Sequence, residues 1–95
     1  MIVRIDIHAV AGAFDYAVVE QGEELYGDDG LGSVVDCLIG AVEGLPSEVR
    51  AVEVALDGIV SGTYPLEVIA MSVAQVAQHA ANTTAMIDDV MPDRD

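Results

Sequence analysis

Five carboxylates fall within the ten residues "EQGEELYGDD", positions 20–29: Glu20, Glu23, Glu24, Asp28 and Asp29. No basic side chain interrupts them. Carboxylates at this density can ligate a hard cation, pass a proton as acid and base, or meet the cations of another macromolecule. A calcium loop needs oxygen ligands at alternating positions, a central glycine and a closing Glu. "EQGEELYGDDGLG" lacks that spacing, and no metal or cofactor is expected. The other side chains that carry chemistry are sparse. There is no lysine, which removes Schiff-base chemistry, and the chain contains no Walker, dinucleotide-binding, HExxH or nucleophile-elbow motif. His8 and His79 are far apart in sequence, and neither neighbours Cys37 at metal-ligand spacing. His8 shares a strand face with Arg4 and Asp6 and is expected to form a surface pair. His79 is expected on the solvent side of a long helix, and Cys37 as an inert buried thiol. An enzyme is not expected.

That leaves contact with cations. Seventeen acids against three arginines give a formal charge of −14. Such a field repels nucleic acid and anionic membrane and attracts basic proteins. The expected partner-binding residues are Glu20, Glu23, Glu24, Asp28 and Asp29, joined by Asp88 and Asp89 near the far end of the chain. A folded chain of this mass has a surface of roughly 5,200 Å², or about one net charge per 370 Å². B-DNA carries one charge per roughly 1.7 Å of axis, near one per 100 Å² on a cylinder of about 10 Å radius. Imitation of a nucleic-acid backbone would therefore rest on the clusters and not on the average. In size and charge alone, the chain resembles small acidic inhibitors of phage and mobile-element origin, including DNA mimics and some anti-CRISPR proteins. The expected function is accordingly a non-enzymatic acidic interaction protein that inhibits a basic nucleic-acid-binding protein. A small immunity protein or antitoxin covering a toxin has nearly the same electrostatics. A dimeric accessory domain whose charge serves only solubility is the third reading.

The elements that must position these acids follow from periodicity. "IVRIDIHAV" alternates, with Val3, Ile5, Ile7 and Ala9 on one face and Arg4, Asp6 and His8 on the other, as in a half-buried strand. After Gly12, "FDYAVVEQ" resumes strand composition. Gln21-Gly22 turns the chain back into a short third strand around "ELY", so the acids would sit on a hairpin end and the loop after it. Leu31, Val34, Val35, Leu38, Ile39 and Val42 keep helical spacing, with Asp29 as candidate N-cap and Gly44-Leu45-Pro46 as the stop. Gly32 and Gly40 would let that helix lie close to a sheet. "VRAVEVAL" reads as a strand, Asp57-Gly58 as a turn, and "IVSGTY" as a further short strand with a second turn at Ser61-Gly62. Pro65 then opens a second helix running to about Ile87.

The order β-β-(β)-α-β-(β)-α predicts an α+β, two-layer sandwich: a mostly antiparallel sheet of 3–5 strands with two helices on one face. One compact domain is expected over residues 1–91, with a short acidic tail at 92–95. In the second helix, Leu66, Ile69, Ala70, Val73, Ala77 and Ala80 form one stripe, while Val68, Met71, Val76 and Met86 lie off it. A helix apolar on more than one face usually has more than one partner, and a homodimer through residues 65–87 is one expectation. Residues 68–87 contain no charge, the length a membrane span needs. Ser72, Gln75, Gln78, His79, Asn82, Thr83 and Thr84 would be costly in hydrocarbon, so no span is expected. With one cysteine and no signal-peptide pattern, a cytoplasmic protein is expected.

The β-β-β-α-β order is similar to the ribonuclease H-like arrangement over about residues 1–60. Asp6 in the first strand, Asp36 in the first helix and Asp57 at the end of the following strand occupy places where that family's acids hold two magnesium ions. The later helices and the family's last acid have no match here. The residues themselves read as surface acids.

Overall fold

The computed structural model describes the backbone of residues 1–90 and the side chains of residues 1–87; the expected tail at 92–95 lies outside the described residues. Five strands and three helices follow in the order β1 (Ile2–Val10), β2 (Ala13–Glu20), β3 (Glu23–Leu31), α1 (Val34–Glu43), β4 (Ala51–Leu56), β5 (Ile59–Pro65), α2 (Leu66–Met71) and α3 (Val73–Val90). The strands form one sheet in the order β3-β2-β1-β4-β5. All neighbours are antiparallel except β1 and β4, which run parallel from Ile2↔Ala51 to Ile7↔Leu56. The helices cover one face, giving the α+β sandwich that the periodicity predicts.

Three hairpins share one kind of turn. Ala11-Gly12, Gln21-Gly22 and Asp57-Gly58 each pair a φ near +50° with a φ near +83°. Two successive positive φ values make the type I′ turn, whose twist matches that of the flanking strands. Glycine takes the second site without a Cβ penalty.

The core lies between the sheet and the helices. Val3, Ile5 and Ile7 of β1, Val18 of β2, Val52 and Val54 of β4, Cys37 and Leu38 of α1 and Ile69 of α2 are fully buried, and Val76, Ala77 and Ala80 of α3 complete the layer. Each buried Val, Ile or Leu contributes about 1.5–3 kcal/mol relative to exposure. Ala9, expected on the buried face of β1, is exposed. In α1 the buried seam is Cys37, Leu38 and Ala41, while Ile39 faces solvent.

Several boundaries differ from the sequence expectation. The third strand is nine residues long and takes in the whole of "EELYGDDGL", so Asp28 and Asp29 lie in a strand and not in a loop. The N-cap of α1 is therefore Ser33 and not Asp29: Ser33 Oγ accepts from the Asp36 N–H at 3.1 Å. Ser61-Gly62 is not a turn. The β4–β5 ladder continues past it with one register shift between Val54 and Ala55, an extra residue absorbed as a bulge. The expected single helix from Pro65 to Ile87 is two, because Ser72 leaves helical geometry at φ −131°. Its N–H closes a last turn on the Ile69 carbonyl, while its own carbonyl accepts from Val76 N–H at 3.0 Å and starts α3. Serine favours helix ends over interiors. The break leaves Ala70 exposed and turns Val76 into the core, reversing the expected places of these two.

Two tyrosines fasten α1 to the sheet. The ring of Tyr16 lies against Gly40 and that of Tyr26 against Gly44, one helical turn apart. The Tyr26 hydroxyl donates to the Ala41 carbonyl. A Cβ on Gly44 would stand 2.9 Å from two ring carbons of Tyr26. Gly44→Ala should therefore cost about 1–3 kcal/mol by overpacking, read as a lower urea midpoint. The cost should shrink in a Tyr26→Leu background, because the two side chains share one contact.

Candidate functional site

β3 is one edge of the sheet, bonded only to β2. Glu23, Glu24, Leu25, Gly27, Asp28 and Asp29 are all exposed along it. Only Tyr26 and Leu31 reach back to pack on the core. Register shifts in the β2–β3 ladder flank Tyr16 and Val18, and at Gly27 the strands approach so closely that a Cβ would collide with the Tyr16 carbonyl oxygen. The strand bends around its partner there, and glycine is the residue that fits.

The register fixes where each acid lies. Glu20 and Glu23 stand directly opposite each other next to the Gln21-Gly22 turn, and Glu24 stands opposite Val19. Asp28 pairs with Tyr16 four residues further along β3, about 14 Å away at 3.4 Å per residue. The five acids thus form two groups, one at each end of the edge strand.

At the second end, Asp28 Oδ1 accepts from the Asp29 N–H at 2.8 Å, and Asp15 Oδ1 accepts from the Gly30 N–H at 3.1 Å. Because β1, β3 and β4 run in one direction, this end of the sheet also carries the Asp57-Gly58 turn and the start of α1 with Asp36. Sequence reasoning missed Asp15 and Asp36 as members of this group. The i to i+3 spacing of Ser33 and Asp36 was the available signal, since it marks a helix start.

Asp88 and Asp89 fall in α3, which packs over β4, β5, α1 and α2 and not over β3. Thr84 Oγ1 donates to the Leu56 carbonyl, so α3 leaves the sheet at the Asp28 end. The side chains of Asp88 and Asp89 lie outside the described residues.

The helix-free face of the sheet is mixed in charge. Arg4 Nε lies 2.8 Å from Asp6 Oδ1 and 3.8 Å from Glu53 Oε1. Exposed pairs of this kind contribute at most about 1 kcal/mol. The expected surface pair of His8 exists, but its partner is Asp57, with Nδ1 4.0 Å from Oδ1. Asp57 Oδ1 also accepts from the Ala9 N–H. The acids that the ribonuclease H-like order would gather are kept apart: Asp6 points to the open face, Asp36 sits on α1 across the sheet, and Asp57 serves a turn. Among the described residues, no group of three or more His, Cys, Asp or Glu side chains is arranged to hold a metal ion. His79 is exposed on α3, and Cys37 is a buried free thiol whose pKa is pushed up to about 11 by burial and then by the nearby Asp36, Asp15 and Asp28. No described helix is long and apolar enough to cross a membrane. No protein-family model, curated protein or solved structure matches the chain.

Two measurements bear on this edge. Directly opposed like charges destabilise a ladder, so Glu20→Gln should raise stability by about 0.2–1 kcal/mol. The gain should fade as salt rises from about 0.1 to about 0.5 M. Burial, and then Tyr16, pushes the Tyr26 hydroxyl up to about 12, and Tyr16 is also raised, chiefly by burial. The folded state prefers the neutral phenol, so this stability is intact below the ordinary value of 10.0 and is lost as pH rises towards about 12. Tyrosinate absorbance should develop late and together with unfolding, and Tyr26→Phe should move that transition to higher pH. Early ionisation with the fold intact would contradict the anchoring role of Tyr26.

Proposed function

We propose that the protein is a non-enzymatic acidic interaction protein whose β2–β3 edge binds the basic surface of a nucleic-acid-binding protein and inhibits it by occupying the ground of a phosphate backbone. The observation that carries this reading is the placement of Glu23, Glu24, Asp28 and Asp29 in two groups along the exposed edge strand β3, with Glu20 of β2 opposite Glu23 across the turn and no Lys or Arg between them. Glu20 and Glu23 oppose each other across the hairpin, a pairing that costs stability and that no salt bridge relieves among the described residues. Acids on an edge strand also discourage pairing with stray strands. A single charge would serve for that, whereas this hairpin carries six, Asp15 included.

The energetics favour a fast, salt-sensitive encounter. A net charge of −14 over a surface of 5598 Å² is about one charge per 400 Å². That is a weaker field than DNA presents, so affinity must come from the two acid groups contacting cations directly while the overall field steers approach. Asp88 and Asp89 belong to the same proposal as a further acidic contact at the Asp28 end. The partner is a basic protein, and neither nucleic acid nor membrane is bound directly.

The test is capture of partners from lysate of the native host at about 0.1 and about 0.5 M salt. The wild type is compared with a variant in which the three Glu become Gln and the two Asp become Asn. The expected result is a basic nucleic-acid-binding protein that is held at low salt, released at high salt, displaced by added duplex DNA and not retained by the variant. A partner indifferent to salt, to DNA and to the five substitutions would overturn the proposal.

A further inference from the structure

The acids are divided unevenly along the chain. Twelve of the seventeen lie in residues 1–57, four in residues 88–95, and only Glu67 in the thirty residues between, which hold no Lys or Arg either. Those thirty residues build β5, α2 and all of α3 up to Ile87. The sheet order places β5 at the edge opposite the acidic β3. Among the described residues, one edge strand, β3, is guarded by charge and the other, β5, carries none.

That second edge has the features of a pairing surface. From Ile59 to Pro65, β5 contains no charged residue, and among the described residues its one hydrogen-bonded neighbour is β4. Outside the bulge at Ser61 and the closing Pro65, this uncharged edge strand offers unpaired N–H and C=O groups to another strand. Val60 is exposed on β5, and Val68 and Met71 are exposed on α2, Met71 at 86%. A groove of about 290 Å³ runs beside the strand, lined by Tyr64, Val68, Ser72, Gln75, Val76 and His79.

We infer that two copies of the chain associate through this edge, β5 against β5 in antiparallel register, to form a continuous ten-stranded sheet. Charge decides the occupant. Two bodies of −14 repel, so a stable self-contact must be made where the acids are absent, and the edge built from residues 58–87 is that place. A basic partner would find no carboxylate on it except Glu67. A two-fold contact uses the same patch twice, which lets the exposed Val68 and Met71 of each copy close over the other's strand and groove. A stable dimer buries about 800 Å² per copy, roughly one-seventh of the 5598 Å² surface. The two β3 edges then lie at the far ends of the assembly, as distant from each other as the fold allows.

This inference stands apart from the proposed function, and salt separates the two. Contact between the acidic edge and a cationic partner weakens with salt, whereas β5 self-pairing tightens as the mutual repulsion of the copies is screened. The experiment is sedimentation equilibrium with light scattering on the full chain at about 0.1 and about 0.5 M salt. The expected species is a dimer of two 9.9 kDa chains, firmer at the higher salt. Val60→Lys and Met71→Lys each reduce the net negative charge and so ease the overall repulsion. They should nevertheless raise the dimer dissociation constant by about tenfold or more, while Glu23→Gln leaves the dimer in place. A wild type that is monomeric at both salts, or a Val60→Lys variant that remains fully dimeric, would overturn the inference. Wild-type hydrogen exchange gives a readout that does not depend on any variant folding. Protection of β5 amides should rise with protein concentration while that of β3 stays constant, and a flat response in β5 would overturn the inference.

Discussion

The seating of Tyr26 on α1 is the contact on which the acidic edge depends. β3 has hydrogen bonds on one side only and exposes most of its side chains. What fixes it against the body is a ring laid on Gly44 and a hydroxyl bonded to the Ala41 carbonyl, with Leu31 helping near the strand's end. Truncating a large aromatic in such a place typically costs about 3–5 kcal/mol when it is fully buried, and the half-buried Tyr26 falls at or below that range. Repulsion within the acidic hairpin is smaller, a few tenths to about 1 kcal/mol per opposed pair. The anchor wins, so the carboxylates of β3 are held on a strand paired to β2 despite the two register shifts in that ladder.

The same layout explains why α1 carries Gly40 in its interior, where helical propensity disfavours it, and ends at the C-cap Gly44. Gly40 and Gly44 lie on one face, a turn apart, and each faces a tyrosine ring. Glycine in a helix interior costs roughly 1 kcal/mol relative to alanine. Here the two glycines let α1 come close enough to β2 and β3 for both rings to be enclosed. Local helix stability is given up for packing that fastens the edge strand.

How far the sequence disclosed this follows from which forces leave a local trace. Alternation in residues 2–9 and 51–56 identified the two buried central strands, because side chains at every second position must meet the helices. The break at Gly12 and the turns at Gln21-Gly22 and Asp57-Gly58 were legible for the same local reason, whereas the same signal at Ser61-Gly62 marks a bulge within β5. The length of β3 was not. Gly27, Asp28, Asp29 and Gly30 have poor strand propensity, and their strand state comes from the β2 ladder, a tertiary effect. The break at Ser72 was hidden because residues 66–80 keep helical spacing through it. Ile69 of α2 and Val76 of α3 both reach the one core across the break. As for the site, the acid pairs were visible as composition, but their separation into two ends of one strand needed the register. Asp15 and Asp36 joined only when the sheet brought its strand ends together.

The parallel seam between β1 and β4 has a consequence for how the chain assembles. Every other strand contact joins neighbours across a two-residue turn and can form locally, whereas Ile2↔Ala51 joins residues almost fifty positions apart. Closing so long a loop costs entropy before any contact rewards it. By contact order, the antiparallel units β1-β2-β3 and β4-β5 are the local parts of the sheet, and the β1–β4 seam, bridged by α1, is the part with the highest loop-closure cost. The hydrophobic faces of Val3, Ile5 and Ile7 and of Val52 and Val54 are completed only at that seam. The costliest closure therefore lies at the centre of the sheet, between β1 and β4, and not at β3 or β5, the two edges proposed to meet other molecules.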